Sequence, residues 1–375
     1  MTEGMASDVG AAARLERLRG KLGERELDWL LVTQPENRSY LSGFGERDVS
    51  LGSSAAWLLV GRGAAFLITS FLYYEAAVRQ AEGFEVVRGA PRFHDGVAEA
   101  LGAAPASQIG FEAGWLTVEL YHDLAERLGE KHELVPTTGL VEELRQIKDA
   151  GEIEAIRAAN ELTDRAYKHV VGLLRPGLTE KQVAWEIEKY MREHGAEGMA
   201  FEPAVAAGPH SAVPHHSPTD RPIAASEPIW IDCGARLNGY CGDLTRSFCL
   251  GSADERFAEI YGIVLRAQEV AIEGLRAGLT GVEGDALARD VIREAGHGDA
   301  FGHSLGHGIG LAIHELPRVS PLGKDVLQPG MLTSVEPGIY LPGWGGVRIE
   351  DLVVIEESGV RNLTRAPKQM VIGGD

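Results

Sequence analysis

The sequence predicts an α/β domain followed by a larger α+β domain assembled from two similar halves. Three observations carry this expectation. Strand-like and helix-like segments alternate through residues 1–140; the segment 174–195 recurs without gaps at 275–296, an offset of 101 (275 − 174); and each copy is followed by strand-like runs bearing two carboxylates. Two domains, 1–140 and 141–375, are therefore expected, and 375 residues with 44% hydrophobic content suffice to fill a core in each.

In chain order, Leu15, Leu18 and Leu22 recur at helical spacing, and a strand follows at 28–32. Strands are expected at 55–60 and 65–69, a helix at 73–81, and strands at 84–87 and 108–111. Residues 41–51, LSGFGERDVSL, read as a loop carrying Glu46, Arg47 and Asp48. A linker at 135–150 leads into a long helix at 152–174, with Ile153, Ile156, Ala159, Leu162, Ala166 and Val170 on its apolar face. In the repeat, LRPGLTEKQ aligns with LRAGLTGVE. Each copy sets a Thr, Thr179 or Thr280, three residues before Gln182 or Glu283, the capping-box spacing that starts a helix.

Residues 229–250, IWIDCGARLNGYCGDLTRSFCL, read as two strands joined by a turn. Asp232 closes the first apolar run, and Asp243 is expected mid-strand, sharing a face with Cys241, Thr245, Ser247 and Cys249. An isolated Asp pair of this kind is usually a strand end and a solvated side chain. The repeat changes that balance, because the second half supplies counterparts: Glu336 after MLTSV and Glu350 within VRIEDLVVI. Four carboxylates brought together by a pseudo-twofold arrangement repel one another strongly in a low-dielectric cleft unless cations intervene. A metal site is the expectation.

The segment 301–315, FGHSLGHGIGLAIHE, adds His303, His307 and His314. Its four interspersed glycines argue against a helical zinc pair at His303 and His307; they suit a backbone that approaches its neighbours closely and sets three imidazoles around a pocket. A proline-rich loop at 201–228 carries His210, His215 and His216, one of which is expected to face the same cleft.

The totals exclude several classes. With 55 acidic against 36 basic residues, a net charge of −19 opposes nucleic acid and anionic membrane surfaces as partners. No run reads as a secretory signal or a membrane span, so a cytoplasmic protein is expected. Cys233, Cys241 and Cys249 form no CxxC pair and read as reduced, buried thiols.

The set Asp232, Asp243, His307, Glu336 and Glu350, within IDCG, GYCGDLTRSF, GHGIGLAIHE, VEPGIY and VRIEDLVV, resembles the pita-bread metallopeptidases. The preceding α/β domain and LRQIKDAGEIEAIR resemble the prolidase and aminopeptidase P branch of that family. The resemblance implies a creatinase/prolidase-like N-terminal domain, a pita-bread (creatinase/aminopeptidase-like) catalytic domain, and hydrolysis of peptides with proline second. It further implies two divalent metal ions, Mn²⁺ foremost with Zn²⁺ or Co²⁺ as alternatives. Asp232 would bind one ion, Asp243 and Glu350 both, and His307 and Glu336 the other. Glu336 would also relay the proton between water and the leaving nitrogen; His215 and His314 would contact the scissile carbonyl, and His303 the proline pocket. His216 departs from the small residue that relatives carry there, leaving His215 as the preferred site histidine. Arg348 would orient Glu350, and Thr245 would orient Asp243.

A dipeptide substrate ends in a carboxylate directly after proline, so a dipeptidase needs a cation or wall beyond it. Arg47 is the leading candidate, with Arg348 and Arg38 behind it. An Xaa-Pro dipeptidase is the favoured expectation. Xaa-Pro aminopeptidase action on longer peptides, a metal-free creatinase-like amidinohydrolase and a non-catalytic binding module are the alternatives. A homodimer is expected from the resemblance alone.

Overall fold

The computed structural model describes residues 8–46, 54–88 and 92–373. The chain divides into two compact units, one ending at Arg145 and the other beginning at Gln146. The first contains, in order, α1 (Asp8–Glu24), β1 (Trp29–Val32), α2 (Pro35–Ser42), β2 (Ala56–Gly61), β3 (Ala65–Thr69), α3 (Tyr74–Gln80), β4 (Glu85–Arg88), α4 (Phe93–Leu101), β5 (Ser107–Glu112), α5 (Val118–Leu128), β6 (His132–Thr137) and α6 (Glu142–Arg145). Its six strands form one mixed sheet in the order β4-β3-β2-β1-β5-β6. β1 pairs antiparallel with β2 and parallel with β5, so the chain leaves and re-enters the sheet beside its first strand. Leu31, Leu59, Ile68 and Ile109 on the sheet pack against Val97 and Leu101 of α4 and Leu124 of α5. The residues expected to form the loop at 41–51 begin inside α2, whose helical start is set by Pro35 in the first turn. Arg47 and Asp48 lie outside the described residues.

The second unit repeats one plan twice. The first half comprises α7 (Ala150–Leu173), α8 (Glu180–Glu193), β7 (Gly198–Met199), β8 (Ala204–Ala207), β9 (Ile229–Cys233), β10 (Ala235–Leu237), β11 (Tyr240–Cys241) and β12 (Leu244–Leu250). The second comprises α9 (Glu255–Gly274), α10 (Gly281–Glu294), β13 (Gly306–Gly308), β14 (Glu315–Val319), β15 (Leu332–Val335), β16 (Gly338–Leu341), β17 (Gly345–Arg348) and β18 (Asp351–Glu356), after which come β19 (Gly359–Asn362) and β20 (Val371–Ile372). In each half a long strand breaks into a short ribbon and returns antiparallel to itself: β9 with β12 around β10 and β11, and β15 with β18 around β16 and β17. The stretch 229–250 is therefore four strand segments rather than two. Asp243 is not mid-strand but falls in the break between β11 and β12. Alternation alone hides such a break, because the residues on either side continue the same pattern.

The helix pairs match in detail. Gly177 and Gly278, at φ +96° and +88°, take the left-handed turn that only glycine enters cheaply, and each is followed two residues later by the capping Thr. Both capping boxes form: Thr179 with Gln182, and Thr280 with Glu283. Each turn is stitched to its own half by matching backbone bonds, Gly177 N–H to Ile223 O and Gly278 N–H to Leu327 O, both 2.9 Å. The helices bury separate cores, with Leu162, Val170, Ile187 and Ile231 in the first half and Val264, Ile292, Val335 and Val353 in the second. A smaller cluster joins Ile156 and Cys241 to Leu332, Leu352 and Val354, and so ties the halves together.

Since the two Thr caps have the same geometry, Thr179→Ala and Thr280→Ala should each cost about 1 kcal/mol in urea unfolding. An unchanged midpoint in either variant would show that its box is dispensable.

Candidate functional site

The breaks in the strands place the carboxylates. Asp232 sits one residue before the end of β9, Asp243 precedes β12, Glu336 follows β15, and Glu350 joins β17 to β18. The backbone of each break is anchored: Asp243 N–H donates to Asn160 Oδ1 on α7 at 3.2 Å, Glu336 N–H to Leu305 O at 2.8 Å, and Glu350 N–H to Thr245 O at 3.0 Å. A cavity of ≈ 290 Å³ opens where they meet, lined by all four carboxylates together with His215, His303, His307, His314, Arg348, Phe201 and Pro214.

His307 lies on β13, which is pressed between β15 and β14. A Cβ at Gly306 would stand 1.9 Å from Ser334 O and one at Gly308 2.0 Å from Leu316 O, so this approach requires glycine at both positions. Ser334 Oγ accepts the His307 N–H at 3.0 Å and donates to Glu336 Oε1 at 3.1 Å, linking two of the expected ligands. His307 Nδ1 bonds Gly308 O at 3.0 Å, which makes that nitrogen the protonated one and leaves Nε2 facing Asp243 at 3.6 Å and Glu336 at 3.4 Å. His314 stands edge-on to His307, with ring centroids 4.3 Å apart.

Arg348 is the cation of the site. It donates to Asp232 Oδ2 at 2.6 Å, to Tyr340 OH at 2.7 Å, to Thr245 Oγ1 at 3.1 Å and to Pro214 O at 3.3 Å. The sequence reading paired Arg348 with Glu350 and Thr245 with Asp243; instead Arg348 holds Asp232, and Thr245 donates to Glu350 Oε2 at 2.8 Å. Register explains the exchange. Ser247 and Arg348 bond through Ser247 Oγ, which sets Glu350 against Thr245, and Thr245 is paired with Asp232 across β9 and β12. With four of its N–H groups engaged, Arg348 has little left for a substrate carboxylate. Arg38 is buried in the first unit and donates to Ser54 Oγ, Ala56 O and Glu46 O.

Tyr340, Ser334 and Asn160 escaped the sequence reading. Tyr340 OH carries Arg348 to His303 Nε2, 3.0 Å away. A signal existed for two of them: Ser334 shares a strand face with Glu336 by alternation, and Asn160 is a polar residue on the buried face of α7. His215 lines the cavity, whereas His216 Nε2 bonds Glu180 at 3.0 Å.

Burial and mutual repulsion govern the charges. Burial, with the Glu350, Asp232 and Glu336 charges behind it, pushes Asp243 well above the usual carboxylate range. Glu350 is raised likewise by burial and by Glu336 and Asp232. Burial lifts Glu336 to about 7, although Arg348 and Ser334 pull it down. His303 and His314 are held at about 4, chiefly by burial, and are neutral at neutral pH. Divalent cations fit this donor set. Asp232 Oδ1 is buried without a hydrogen-bond partner among the described residues, and Asp243, His307 and Glu350 offer ligand atoms within 4.8 Å of one another.

Comparison with known proteins agrees with the geometry. The pattern of Metallopeptidase family M24 matches residues 154–357, and that of the Creatinase/Prolidase N-terminal domain matches residues 14–147. The chain belongs to metallopeptidase family M24. It is 37% identical to an Xaa-Pro dipeptidase of Pyrococcus furiosus, over 96% of this chain and 99% of that protein. Among solved structures it resembles an Xaa-Pro dipeptidase from Bacillus anthracis (41% identity, TM-score 0.91, 96% of this chain and 99% of the other). It also resembles an X-Pro aminopeptidase from Thermotoga maritima (36% identity, TM-score 0.86, 96% and 100%). As an M24 protein the chain is a hydrolase, with the pita-bread fold in its second unit and a creatinase/prolidase-type domain before it.

In the metal-free protein Glu336 titrates at about 7 against 4.5 in an unfolded chain. The fold therefore binds extra protons between those values, and its contribution to stability, full below 4.5, is lost as the pH rises through 7. Cations replace those protons. Adding Mn²⁺ should thus raise Tm more at about pH 8 than at about pH 6, with protons released on binding. Calorimetry in buffers of different ionisation enthalpy reads both quantities, and a larger shift at the lower pH would contradict this reading.

Proposed function

We propose that the protein is a dinuclear metal-dependent Xaa-Pro dipeptidase. The observation that carries this is the convergence of Asp232, Asp243, His307, Glu336 and Glu350, from both halves of the fold, on one cavity that also presents His215, His303 and His314. Asp232 would hold one ion and His307 and Glu336 the other, with Asp243 and Glu350 serving both. The oxygen-rich donor set with one imidazole favours Mn²⁺, with Zn²⁺ and Co²⁺ as alternatives. When bound, the ions supply Lewis acidity to the scissile carbonyl and to the attacking water.

The chain's own residues do the rest. The nitrogen of an Xaa-Pro bond carries no hydrogen and must gain a proton to leave as the secondary amine of proline. Glu336, titrating at about 7, suits a group that takes a proton from water and returns it to that nitrogen. His314, neutral in its buried setting, and His215 each offer an N–H to the carbonyl oxygen as negative charge develops there. His303, anchored through Tyr340 and stacked edge-on against Phe301, forms a rigid wall for the proline ring. Arg348 orients Asp232.

The X-Pro aminopeptidase reading stands second, favoured by the likeness to the Thermotoga maritima enzyme. A metal-free amidinohydrolase or a binding module would not need the complete ligand set. Cys233, Cys241 and Cys249 are buried; a cytoplasmic setting rests on the sequence and a homodimer on family resemblance alone.

With Mn²⁺-loaded protein, kcat/KM for Xaa-Pro should exceed that for Xaa-Pro-Xaa by about tenfold or more, a difference of roughly 1.4 kcal/mol. Faster cleavage of the tripeptide would establish the aminopeptidase reading instead. His314→Ala and His215→Ala should each lower kcat by about 10²-fold, as loss of one donor to a developing oxyanion does, with metal content unchanged. Loss of metal in either variant would make that histidine a ligand.

A further inference from the structure

Three side chains outside the catalytic cavity converge in a second cluster. Glu180, the first residue of α8, is wholly buried, and His210 and His216 reach it from the loop that follows β8. Glu180 Oε2 lies 3.2 Å from His210 Nδ1 and 3.0 Å from His216 Nε2. The two rings face each other with centroids 4.5 Å apart, and the three ligand atoms all fall within 4.8 Å of one another. We propose that Glu180, His210 and His216 form a third metal site, separate from the catalytic pair, that takes zinc.

The spacing matches the ion. Four ligands at tetrahedral angles and about 2.0–2.1 Å from zinc stand roughly 3.3 Å from one another; the two nitrogens stand 3.2 and 3.0 Å from Glu180 Oε2, and the three ligand atoms lie within 4.8 Å of one another. Two imidazoles and one carboxylate are a set that zinc accepts, and the fourth position is open to water on the side of His210, whose side chain is 35% exposed. Thr219 N–H and Oγ1 donate to Glu180 Oε2 at 3.0 and 2.7 Å, and Ala207 N–H donates to Oε1 at 3.0 Å, fixing the carboxylate as partners of a zinc ligand do. The neighbouring cation, Arg221, is paired with Glu227 at 2.6 and 2.8 Å.

Binding needs no new charged group. To bind, each ring would turn the lone pair of the nitrogen facing Glu180, His210 Nδ1 or His216 Nε2, to zinc and carry its proton on the other nitrogen. The consequence reaches the active site through the backbone. Pro214 and His215, which line the catalytic cavity, lie between His210 and His216, so an ion held there would clamp the segment that presents them.

The experiment counts zinc on full-length protein equilibrated with excess Zn²⁺ and then desalted. Wild type should retain about three ions per chain, His210→Ala/His216→Ala about two, and Asp243→Asn/Glu350→Gln about one. His210→Ala alone keeps the remaining bonds to Glu180 and guards against misfolding of the double variant; it too should hold two. As a spectroscopic check, Co²⁺ added to the Asp243→Asn/Glu350→Gln protein should give the strong visible absorption of four-coordinate cobalt, and the further His210→Ala/His216→Ala change should abolish it. Equal zinc content in wild type and both histidine variants, or a cobalt spectrum indifferent to those histidines, overturns the proposal and leaves the cluster a set of hydrogen bonds.

Discussion

Everything in the second unit answers to one electrostatic constraint: four carboxylates share a cavity of ≈ 290 Å³. A like-charge pair about 4 Å apart at an effective dielectric near 20 costs about 4 kcal/mol. Several such pairs exceed what a domain of this size can spare from its net stability of about 5–15 kcal/mol. Burial and mutual repulsion raise Asp243, Glu350 and Glu336 above the usual carboxylate range, and divalent cations would offset the same charge. Arg348 bonds Asp232 directly and offsets Glu336 and Glu350 only through space. The oxygen left over, Asp232 Oδ1, is buried without a hydrogen-bond partner among the described residues, a position that a bound ion would satisfy.

The duplicated architecture is what makes that concentration of charge buildable. Each half contributes its carboxylates at the places where a strand breaks into a short ribbon and returns, so the side chains leave the sheet where no ladder constrains them. The breaks are stiffened from behind by neutral side chains: Asn160 accepts from the Asp243 N–H, Thr245 donates to Glu350 and Ser334 donates to Glu336. None of these adds charge. Cores on either side of the ribbons, closed by helix pairs with matching turns and caps, keep the two sets of breaks in register.

The repeat was legible because its marks are local and aligned: two glycines in left-handed turns and two capping boxes at a shared offset, with a pair of carboxylates following each copy. The candidate site residues were legible for the same reason. Hidden features depend on long-range register. Asp243 was placed mid-strand because alternation continues through a break, and Arg348 was assigned to Glu350 because two residues on one strand share a face, whereas its long side chain passes Thr245 to reach Asp232 on another strand. In the first unit α2 was missed although Pro35 marks its start, since an eight-residue helix has too few turns to show periodicity. Arg47 lies beyond the described residues, so its assignment stays as the sequence alone gives it.

His215 and His216 show how adjacent residues of one type divide between two tasks. Spacing cannot separate them, because neighbouring positions on an irregular segment have no fixed face. What separates them is Glu180: a buried carboxylate at the start of α8 needs donors, and His216, with Thr219 and Ala207, meets that need, so the chain between must turn its other side, with Pro214 and His215, to the cavity. His215 is thus placed at the cavity through the anchoring of its neighbour. A loop held on one side by a charge-assisted hydrogen bond can present a side chain on the other without burying it, leaving that imidazole free for substrate.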